Sequence, residues 1–530
     1  MTSTNERLAL PVGTSDFEAL RANNQIYVDK TALIYELARR DGKFFLTRPR
    51  RFGRSLLVST FASLFKEGLK YFSGLAIEKL WKDTTYNVVK VNFYEIKHFT
   101  DIRDFARRLD ATLATSFSHA GFRRDAASSL SLMAQLSLWL KTQPCHSLVL
   151  LVDEYDAPQT VCLDDKALFD AVRRKLSDFY TLIKSNDACW RFVFVASMTK
   201  LYQTSIFGSD FDNFTDISLD PLFAPLLGYT EEEIDQYFSE HIKEAAKALN
   251  LTTEEVRREL RENYGGFCFD EKASEHLYAP KAVLQFFSSP ANGFENYWMR
   301  SSKLSILQRH LHSPSLKILE CYAVEQSIFT DELAGSSDFD SLNDLVLLTQ
   351  AGYLTIKRRD AEAFYLGYPD KEVAETLGTL YRRILLRQRT LAAVGASNLE
   401  EAVCKGNVDL LFDQANHAFA AVDYSQYPIA NEGHCQTCLQ LFLSGFGFSI
   451  TAQRHGALGR SDLEVETPKL NWVFELKYQR KGESAEALLA KAVEQVKEKQ
   501  YGTSAQKPLI RAAAVFSEEK RQFVCWQRID

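Results

Sequence analysis

A short basic loop between a strand-like run and a helical pattern constrains this fold most. The loop, Thr47–Ser55, follows the apolar run Phe44–Leu46 and precedes an apolar helical pattern at 56–65. A strand, a tight loop and a helix in this order point backbone N–H groups and a helix N-terminus at an anion such as phosphate. The common phosphate-loop pattern has glycine and lysine at the positions where this chain has Arg48 and Arg54. A basic turn before a helix is the competing interpretation.

A second strand-like run ends in two carboxylates. Leu148–Val152 is apolar and is followed by Asp153 and Glu154. Open α/β sheets bind ligands at the carboxyl ends of their strands, so we expect Asp153 to hold Mg²⁺ through water and Glu154 to polarise an attacking water. A helix-capping acid at a strand end is the alternative. A later run ends in hydroxyls, and Ser197 or Thr199 either senses a terminal phosphate or simply ends a strand.

Residues 1–225 alternate short apolar runs with helical patterns, which predicts an α/β domain with a parallel sheet covered on both faces. The strand candidates are Lys43–Leu46, Val88–Tyr94, Leu148–Val152 and Phe192–Ala196. The helical patterns occupy residues 31–39, 55–66, 101–118, 126–141 and 166–184. Any nucleotide site in this part of the chain would therefore lie at the carboxyl edge of a parallel sheet.

Three motifs occur here together. Tyr27–Thr31 reads Tyr-Val-Asp-Lys-Thr, and with the loop Thr47–Ser55 and the stretch Asp153–Pro158 it resembles the AAA-ATPase-like family. In many bacterial proteins that family is joined to a C-terminal PD-(D/E)XK nuclease-like domain. The family normally has lysine where this chain has Arg54, so we expect modest ATP binding and slow hydrolysis.

The resemblance implies a P-loop NTPase sheet domain that binds ATP and Mg²⁺. Ser55 and Asp153 would lie at the metal, and Glu154 would be the catalytic residue. The predicted nucleotide-binding residues are Arg50, Arg51, Phe52, Gly53, Arg54, Ser55, Asp153 and Ser197.

Residues 226–400 have mainly helical patterns. Capping boxes at Thr230–Glu233 and Thr252–Glu255 each predict a helix start. Because the chain has 530 residues, about three domains are expected. We predict an ATPase domain at 1–225, a mainly helical middle section at 226–400 and a third domain at 401–530.

Within the middle section, a helical pattern at Leu342–Thr349 precedes two strand-like runs, Tyr353–Ile356 and Phe364–Tyr368. A helix followed by a hairpin resembles a winged-helix unit. The linking residues begin with Lys357, Arg358 and Arg359, which predicts a basic hairpin tip. Such a tip either contacts a phosphate backbone or is simply solvated, and the second interpretation is the simpler one.

A hairpin is predicted near the C-terminus. Residues 459–466 alternate as a strand does, 467–470 form a turn, and a second strand follows. With that turn, Asp462 lies directly across from Glu475, while Glu475 and Lys477 share one face. Two carboxylates and the Leu476 carbonyl are hard oxygen ligands suited to Mg²⁺. The metal would lower the pKa of a bound water, which Lys477 would orient.

Two helices accompany this hairpin. Glu432 begins one whose core face contains Cys435 and Cys438, so this Cys-x-x-Cys pair indicates a buried stripe and not a zinc site. The other occupies 485–499, with Gln495 at the edge of its apolar stripe.

Glu432, Gly-Arg-Ser-Asp462 and Glu475-Leu-Lys477 resemble the PD-(D/E)XK nucleases position by position. That resemblance implies a C-terminal α/β restriction-endonuclease-like domain with the metal at Asp462 and Glu475. The predicted catalytic residues of this domain are Glu432, Asp462, Glu475, Lys477 and Gln495.

Charge and cysteine content limit the binding partners and the cellular compartment that we expect. The net charge is −6, so the chain has no generic affinity for nucleic acid and any such contact would use local basic patches. Nine scattered cysteines fit a reducing cytoplasm better than a disulfide framework. We find no run of the roughly 18 apolar residues that a membrane span needs, and no signal peptide pattern at the N-terminus. We therefore expect a cytoplasmic protein with no membrane association.

The leading hypothesis is an AAA-like ATPase coupled to metal-dependent cleavage of nucleic acid, with DNA expected. A second is a nucleotide-controlled switch or scaffold with slow or no hydrolysis at either site that recruits a protein partner. A third is a structural interaction protein with two decayed sites. Arg54 and the acidic net charge favour the second, whereas the intact nuclease-like residues favour the first. An oligomer is compatible with any of them.

Overall fold

The computed structural model describes most of the chain. Ser461, Tyr501 and most of the turn-rich stretch 209–216 lie outside the described residues. The contacts divide the chain into two compact units, one comprising Met1–His312 and Gln326–Asp370 and the other Ser313–Glu325 and Lys371–Asp530. The boundaries of the three predicted domains stay a prediction. The described residues are 8–200, 214–301, 305–311, 313, 316–322, 325–334, 343–452, 455–456, 459–460, 462–499 and 507–529.

The first unit is built on a parallel five-stranded sheet in the order β2-β3-β4-β1-β5. The two central strands β3 and β4 are buried along their whole length because helices cover both faces. This confirms the α/β prediction and its four strand candidates. The strands are β1 Gly42–Thr47, β2 Asn87–Asn92, β3 Leu148–Asp153, β4 Trp190–Ser197 and β5 Thr215–Asp216.

The helices around this sheet agree with the predicted helical patterns. The pattern at 126–141 becomes a helix only from Leu132, because the Ser131 hydroxyl accepts a hydrogen bond from the Ala134 N–H and caps the helix there. The helices are α1 Phe17–Ala22, α2 Thr31–Ala38, α3 Arg54–Glu67, α4 Ile102–Ser118, α5 Leu132–Leu140, α6 Ala157–Thr160 and α7 Lys166–Ser185.

The middle of the chain is mainly helical, as predicted. Both capping boxes form, since the Thr230 and Thr252 hydroxyls accept the N–H groups of Glu233 and Glu255. The helices are α8 Glu231–Leu249, α9 Thr253–Tyr264, α10 Pro280–Ser288, α11 Ser305–Leu311, α12 Ile318–Cys321, α13 Thr330–Ala334 and α14 Asp344–Ala351.

A three-stranded antiparallel sheet completes the first unit. Its strands are β6 Gln326–Phe329, β7 Thr355–Arg359 and β8 Ala363–Gly367, in the order β6-β8-β7. The β7–β8 pair is the hairpin expected after α14.

The prediction that Lys357, Arg358 and Arg359 form the tip of this hairpin is wrong. Lys357, Arg358 and Arg359 belong to strand β7, and the turn that follows is shaped by Asp360, which accepts the N–H groups of Glu362 and Ala363. The Lys357 ammonium donates to the Pro369 carbonyl, the Arg358 guanidinium stacks on Tyr365, and Arg359 donates to the Glu271 carbonyl. The strand extends further than the sequence indicates because these long side chains find partners along it.

The second unit combines helices with a mixed sheet in the order β15-β14-β13-β12-β9, in which only β13 and β14 are parallel. Its later helices are α15 Lys371–Leu385, α16 Leu399–Lys405, α17 Val408–Ala420, α18 Glu432–Leu443 and α19 Ala485–Lys499. Its strands are β9 Ser449–Ala452, β10 His455–Gly456, β11 Gly459–Arg460, β12 Leu463–Glu466, β13 Asn471–Gln479, β14 Leu509–Ser517 and β15 Gln522–Ile529.

The predicted hairpin register is confirmed. Leu463 pairs with Phe474 and Glu466 with Asn471, so the loop is 467–470 and Asp462 is level with Glu475. The predicted core face of α18 is also confirmed, since Cys435, Cys438, Leu439 and Phe442 are all buried. No helix in the described parts of the chain has both the length and the apolar composition that a membrane span requires.

Candidate functional site

The basic loop joins the end of β1 to the start of α3 and borders a cavity. Gly53 has φ +96°, a left-handed conformation that a residue without Cβ adopts readily. The turn it makes brings the α3 N-terminus to a cavity of about 530 Å³. Among the predicted site residues, those lining the cavity are Arg50, Arg51, Phe52, Gly53, Arg54, Ser55 and Glu154.

The two acids at the end of β3 are joined to the start of α3 by short contacts. The Ser55 hydroxyl donates to Asp153 Oδ2 at 2.7 Å, and the Arg54 guanidinium donates to Glu154 Oε1 at 2.7 Å. The Arg54 side chain is only 4% exposed and that of Glu154 16%. The structure therefore brings together four residues predicted from two motifs that lie far apart in sequence.

Asp153 has the properties of a cation ligand. Burial raises the pKa of its carboxyl. The positive charge of Arg54 and the hydrogen bond from Ser55 lower this pKa, but burial outweighs them. Its Oδ1 is buried and makes no hydrogen bond within the described part of the chain. A carboxylate oxygen without a donor beside a serine hydroxyl is a donor set that fits Mg²⁺.

Two members of the loop are held by packing. Arg48 is fully buried, and its guanidinium donates to the carbonyls of Thr47, Ser218, Phe223 and Ala224. It also stacks at 4.6 Å on the ring of Phe269. Its burial indicates that Arg48 positions the loop. The sequence carries no signal for this role, because it shows only that arginine stands where glycine is common.

Phe52 is buried by aromatic neighbours. Its ring makes edge contacts with Phe267 and Phe269, with centroids 4.8 and 5.1 Å away. Phe52 therefore anchors the loop with its side chain, although it borders the cavity.

The hydroxyls at the end of β4 already have partners. Ser197 Oγ donates to the Thr199 carbonyl at 2.8 Å, and the Thr199 hydroxyl donates to Asp156 at 2.8 Å. The buried Asp156 carboxylate also accepts the N–H groups of Met198 and Thr199. Nucleotide contact by Ser197 stays a prediction, and it would require the hydroxyl to change partner.

The cavity contains a cation that the motifs did not indicate. Lys281, on the first turn of α10, lines it together with Arg51. Burial lowers the pKa of Lys281, and the charge of Arg51 lowers it further. Within the described residues neither side chain forms an ion pair, so both leave positive charge facing the cavity. Nothing in the local sequence of Lys281 marks it, because only the tertiary fold brings α10 to the loop.

The second candidate site lies at the β12–β13 hairpin. Lys477 Nζ is 2.7 Å from Glu475 Oε1 and 3.6 Å from Glu432 Oε1. Asp462 Oδ2 accepts the Leu476 N–H at 2.7 Å, and the Gln436 side chain donates to the Asp462 carbonyl at 2.6 Å. The predicted residues Glu432, Asp462, Glu475 and Lys477 thus form one cluster.

Burial and repulsion between carboxylates dominate the electrostatics of this cluster. Burial and the charge of Asp462 raise the pKa of Glu475 to about 7, although Lys477 lowers it. Burial also raises the pKa of Glu432. For Lys477, burial lowers the pKa, but contacts with Glu475 and Glu432 outweigh it, so the pKa is raised overall.

Glu475 Oε2 is buried and accepts no hydrogen bond from any described residue. No group of three or more His, Cys, Asp or Glu side chains arranged to hold a metal ion occurs in the described ranges. The fit therefore depends on two carboxylates and the Leu476 carbonyl, a set of hard oxygens suited to Mg²⁺. Gln495 is half-buried on α19 beside the buried Val496, and its participation stays a prediction.

Comparison with known proteins gives two family matches. Residues 11–207 match the model of the family described as "Predicted AAA-ATPase", and residues 430–526 match that of the PD-(D/E)XK nuclease superfamily. Both resemblances inferred from the motifs are thereby confirmed. The chain combines an AAA-ATPase-like domain with a PD-(D/E)XK nuclease-like domain.

A full-length relative comes from Azotobacter chroococcum mcd 1 and is named "Uncharacterized protein in vnfD 5'region". It is 26% identical over 536 residues, which cover 98% of each chain. Two solved structures of the Aeropyrum pernix ORC2 protein, one of ADPNP-ADP complexes and one of the ADP form, are 12% and 11% identical. Each match covers 72% of this chain and 97% of the ORC2 chain, and the TM-scores are 0.32 and 0.30.

We predict that Glu475 titrates near pH 7 in metal-free protein. Carbon NMR of the Glu475 side-chain carboxyl, recorded in the presence of a chelator, would measure the pH midpoint of this titration. Asp462→Asn should lower the midpoint because a like charge is removed, and Lys477→Gln should raise it because an opposite charge is removed. Shifts of the same sign in both variants would contradict the charge arrangement.

The same pKa has a consequence for stability. The folded value lies above the ordinary value of 4.5, so the folded protein binds this proton more tightly. The stabilising contribution is complete below about pH 4.5 and is lost as the pH rises through 7. Urea unfolding would measure the free energy of unfolding at pH 5 and at pH 8. We expect this free energy to fall less between the two pH values in Glu475→Gln than in the wild type. The exposed Glu498→Gln variant is the control and should behave as the wild type does.

Proposed function

We propose that this is a cytoplasmic ATP- and Mg²⁺-binding protein that couples slow nucleotide hydrolysis to metal-dependent cleavage of nucleic acid, with DNA as the expected substrate. One observation carries the proposal. Each family-matched domain contains a buried carboxylate oxygen without a hydrogen bond among the described residues, Asp153 Oδ1 in one and Glu475 Oε2 in the other. Leaving a buried polar atom unpaired costs roughly 1–3 kcal/mol, and a bound divalent cation would supply the missing interaction.

The cavity is suited to a polyphosphate. The N-terminus of α3 supplies N–H groups, and Arg50, Arg51 and Lys281 contribute positive charge. Ser55 and Asp153 would hold Mg²⁺, which would supply positive charge to offset that of the phosphates. The apolar part of the cavity, which includes Ile26, Val28, Leu226 and Leu227, provides a surface for a nucleobase.

The Arg54–Glu154 ion pair accounts for the slow hydrolysis that we propose. Glu154 can polarise an attacking water only when its carboxylate is released from the Arg54 guanidinium. A terminal phosphate competes for the same guanidinium, since Arg binds phosphate through the same forked donors. ATP binding would therefore open the pair.

In the second domain, a bound divalent cation would polarise the scissile phosphate and generate hydroxide from a bound water. Asp462, Glu475 and the Leu476 carbonyl would hold that cation. Glu475 and Glu432 orient the Lys477 ammonium, whose charge can offset the charge developing on the phosphate. The Leu476 N–H fixes the Asp462 carboxylate, so that ligand is preorganised.

A second function has one specific observation in its favour. With Arg54 and Glu154 already paired, the protein could serve as a nucleotide-controlled switch that recruits a protein partner and hydrolyses little. The net charge of −6 also disfavours general contact with nucleic acid. The nuclease assay below separates this function from the first one.

We predict that the wild type cleaves nucleic acid in the presence of Mg²⁺ or Mn²⁺. Glu475→Gln should reduce the rate at least about 100-fold because the metal provides several kcal/mol of charge stabilisation. Gel assays with DNA and RNA, with and without chelator, measure this, and Glu498→Gln on the exposed side of α19 is the matched control. Equal cleavage by Glu475→Gln would reject the nuclease assignment and favour the switch.

We predict different roles for the two acids of β3. Asp153→Asn should weaken Mg²⁺-ATP binding at least about tenfold because a charge-assisted contact contributes roughly 1.5–3 kcal/mol. Glu154→Gln should keep binding and slow hydrolysis about 100-fold. Calorimetric titration and phosphate release separate the two effects. Loss of nucleotide binding in Glu154→Gln alone would contradict the division.

We expect Arg54→Lys to raise ATP turnover by a few-fold to about tenfold, since a compact ammonium holds Glu154 less firmly than a forked guanidinium. Phosphate release at saturating Mg²⁺-ATP would measure it. Exposed Arg39→Lys, at a residue that does not line the cavity, serves as the control. Fast turnover by the wild type would show that Arg54 does not limit the rate.

A further inference from the structure

The phosphate loop contacts the helix–hairpin unit formed by α14, β7 and β8, residues 343–367. Gly352 ends α14 with φ +86° and lies against Pro49 of the loop. A Cβ added at Gly352 would be 2.8 Å from Pro49 Cβ, 2.9 Å from Pro49 Cγ and 3.1 Å from Trp298 Cζ2. Real Cβ atoms essentially never show the two Pro49 distances, so a side chain at this position would force Pro49 of the loop and the end of α14 apart.

Trp298 connects the same region to the loop backbone. Its indole N–H donates to the Arg50 carbonyl at 2.9 Å. Its ring is buried and makes edge contact with Tyr353, the residue after Gly352, at a centroid distance of 5.8 Å. The loop conformation therefore depends on contacts with residues far from it in sequence.

Helix α14 also reaches the end of β4. The Gln350 side-chain oxygen accepts the Lys200 N–H at 2.9 Å, directly after Thr199. Asp156, three residues after the end of β3, accepts the N–H groups of Met198 and Thr199, so the segment after β4 is held from both sides. One helix end thus contacts the phosphate loop and the strand end that flanks the acids of β3.

We propose that Gly352 and Trp298 are positioning residues that set the conformation of the phosphate loop, so that the helix–hairpin unit controls nucleotide affinity. This positioning role extends the proposed ATP binding, and the affinity measurement that tests it rests on that binding. The N–H groups of a phosphate loop must lie within hydrogen-bond distance of the phosphate oxygens, and a misplacement of about 1 Å can cost about 100-fold. Displacement of Pro49 by a side chain at 352 acts on this geometry directly.

The coupling works in both directions. If the helix–hairpin unit sets nucleotide affinity, bound nucleotide must stabilise that unit to the same extent. Densely packed contacts of this kind transmit small displacements because the interior cannot deform freely.

The test compares two glycines with the same backbone conformation. Gly352 has φ +86° and ψ +13°, and Gly395 has φ +84° and ψ +10°. A Cβ at Gly395 would meet only one atom within 3.4 Å, Nδ1 of the exposed His417 side chain. Gly352→Ala and Gly395→Ala therefore introduce similar backbone strain, but only the first displaces the loop.

We expect Gly352→Ala to weaken Mg²⁺-ATP binding at least about tenfold in calorimetry, and Gly395→Ala to leave it within about twofold. In a Pro49→Gly background, Gly352→Ala should weaken binding less than it does in the wild type, because the two closest clashing atoms are gone. Equal affinity in the two alanine variants would overturn the proposal. Should Gly352→Ala fail to fold, Trp298→Phe keeps an aromatic side chain but removes the N–H donor together with the five-membered ring that carries it. An affinity unchanged in Trp298→Phe would equally overturn it.

Hydrogen exchange without nucleotide separates this proposal from the proposed function. In nucleotide-free protein, Gly352→Ala should speed exchange at the loop amides 50–55, whereas Gly395→Ala should not. If the wild type binds no Mg²⁺-ATP but the exchange result holds, the proposed function fails and the positioning role stands. Unchanged exchange at 50–55 in Gly352→Ala would reject the positioning role whatever the nucleotide result.

Discussion

The cavity beside the basic loop, where we propose that nucleotide binds, depends on the buried guanidinium of Arg48. A cation taken out of water costs several kcal/mol unless its donors are satisfied, and here four backbone carbonyls accept from the two terminal nitrogens of the guanidinium. Burial lowers its pKa to about 9. These bonds join the loop to segment 218–224, which leads to cavity residues 226–229. The loop thus uses an arginine where glycine is common because its conformation is held from outside by tertiary contacts.

The two candidate sites share one electrostatic arrangement. In the first, Arg54 offsets the charges of Asp153, Glu154 and Asp156, and in the second Lys477 offsets those of Glu432, Asp462 and Glu475. Burial raises the pKa of several of these acids because it removes the water that would stabilise their charged form. A divalent cation and a phosphate would complete each cluster, since the cation neutralises the acids and the phosphate attracts the basic side chain.

Much of the fold could be predicted from local patterns. Short apolar runs became the strands of a parallel sheet, and two capping boxes began helices where expected. The hairpin register followed from a four-residue turn, since strand alternation leaves little freedom once the turn is known. The basic tip was mispredicted, because Lys357, Arg358 and Arg359 found partners that extend β7.

The sequence by itself determined which residues are candidates for the chemistry, since the loop, the acids of β3 and the nuclease-like hairpin are local patterns of residue type and spacing. Only the tertiary structure decided how those residues are held. The burial of Arg48, the Arg54–Glu154 pair, the position of Lys281 and the contact between Gly352 and Pro49 all join distant segments. Local periodicity specifies which face of an element is buried, but the partner on that face depends on how the whole chain packs.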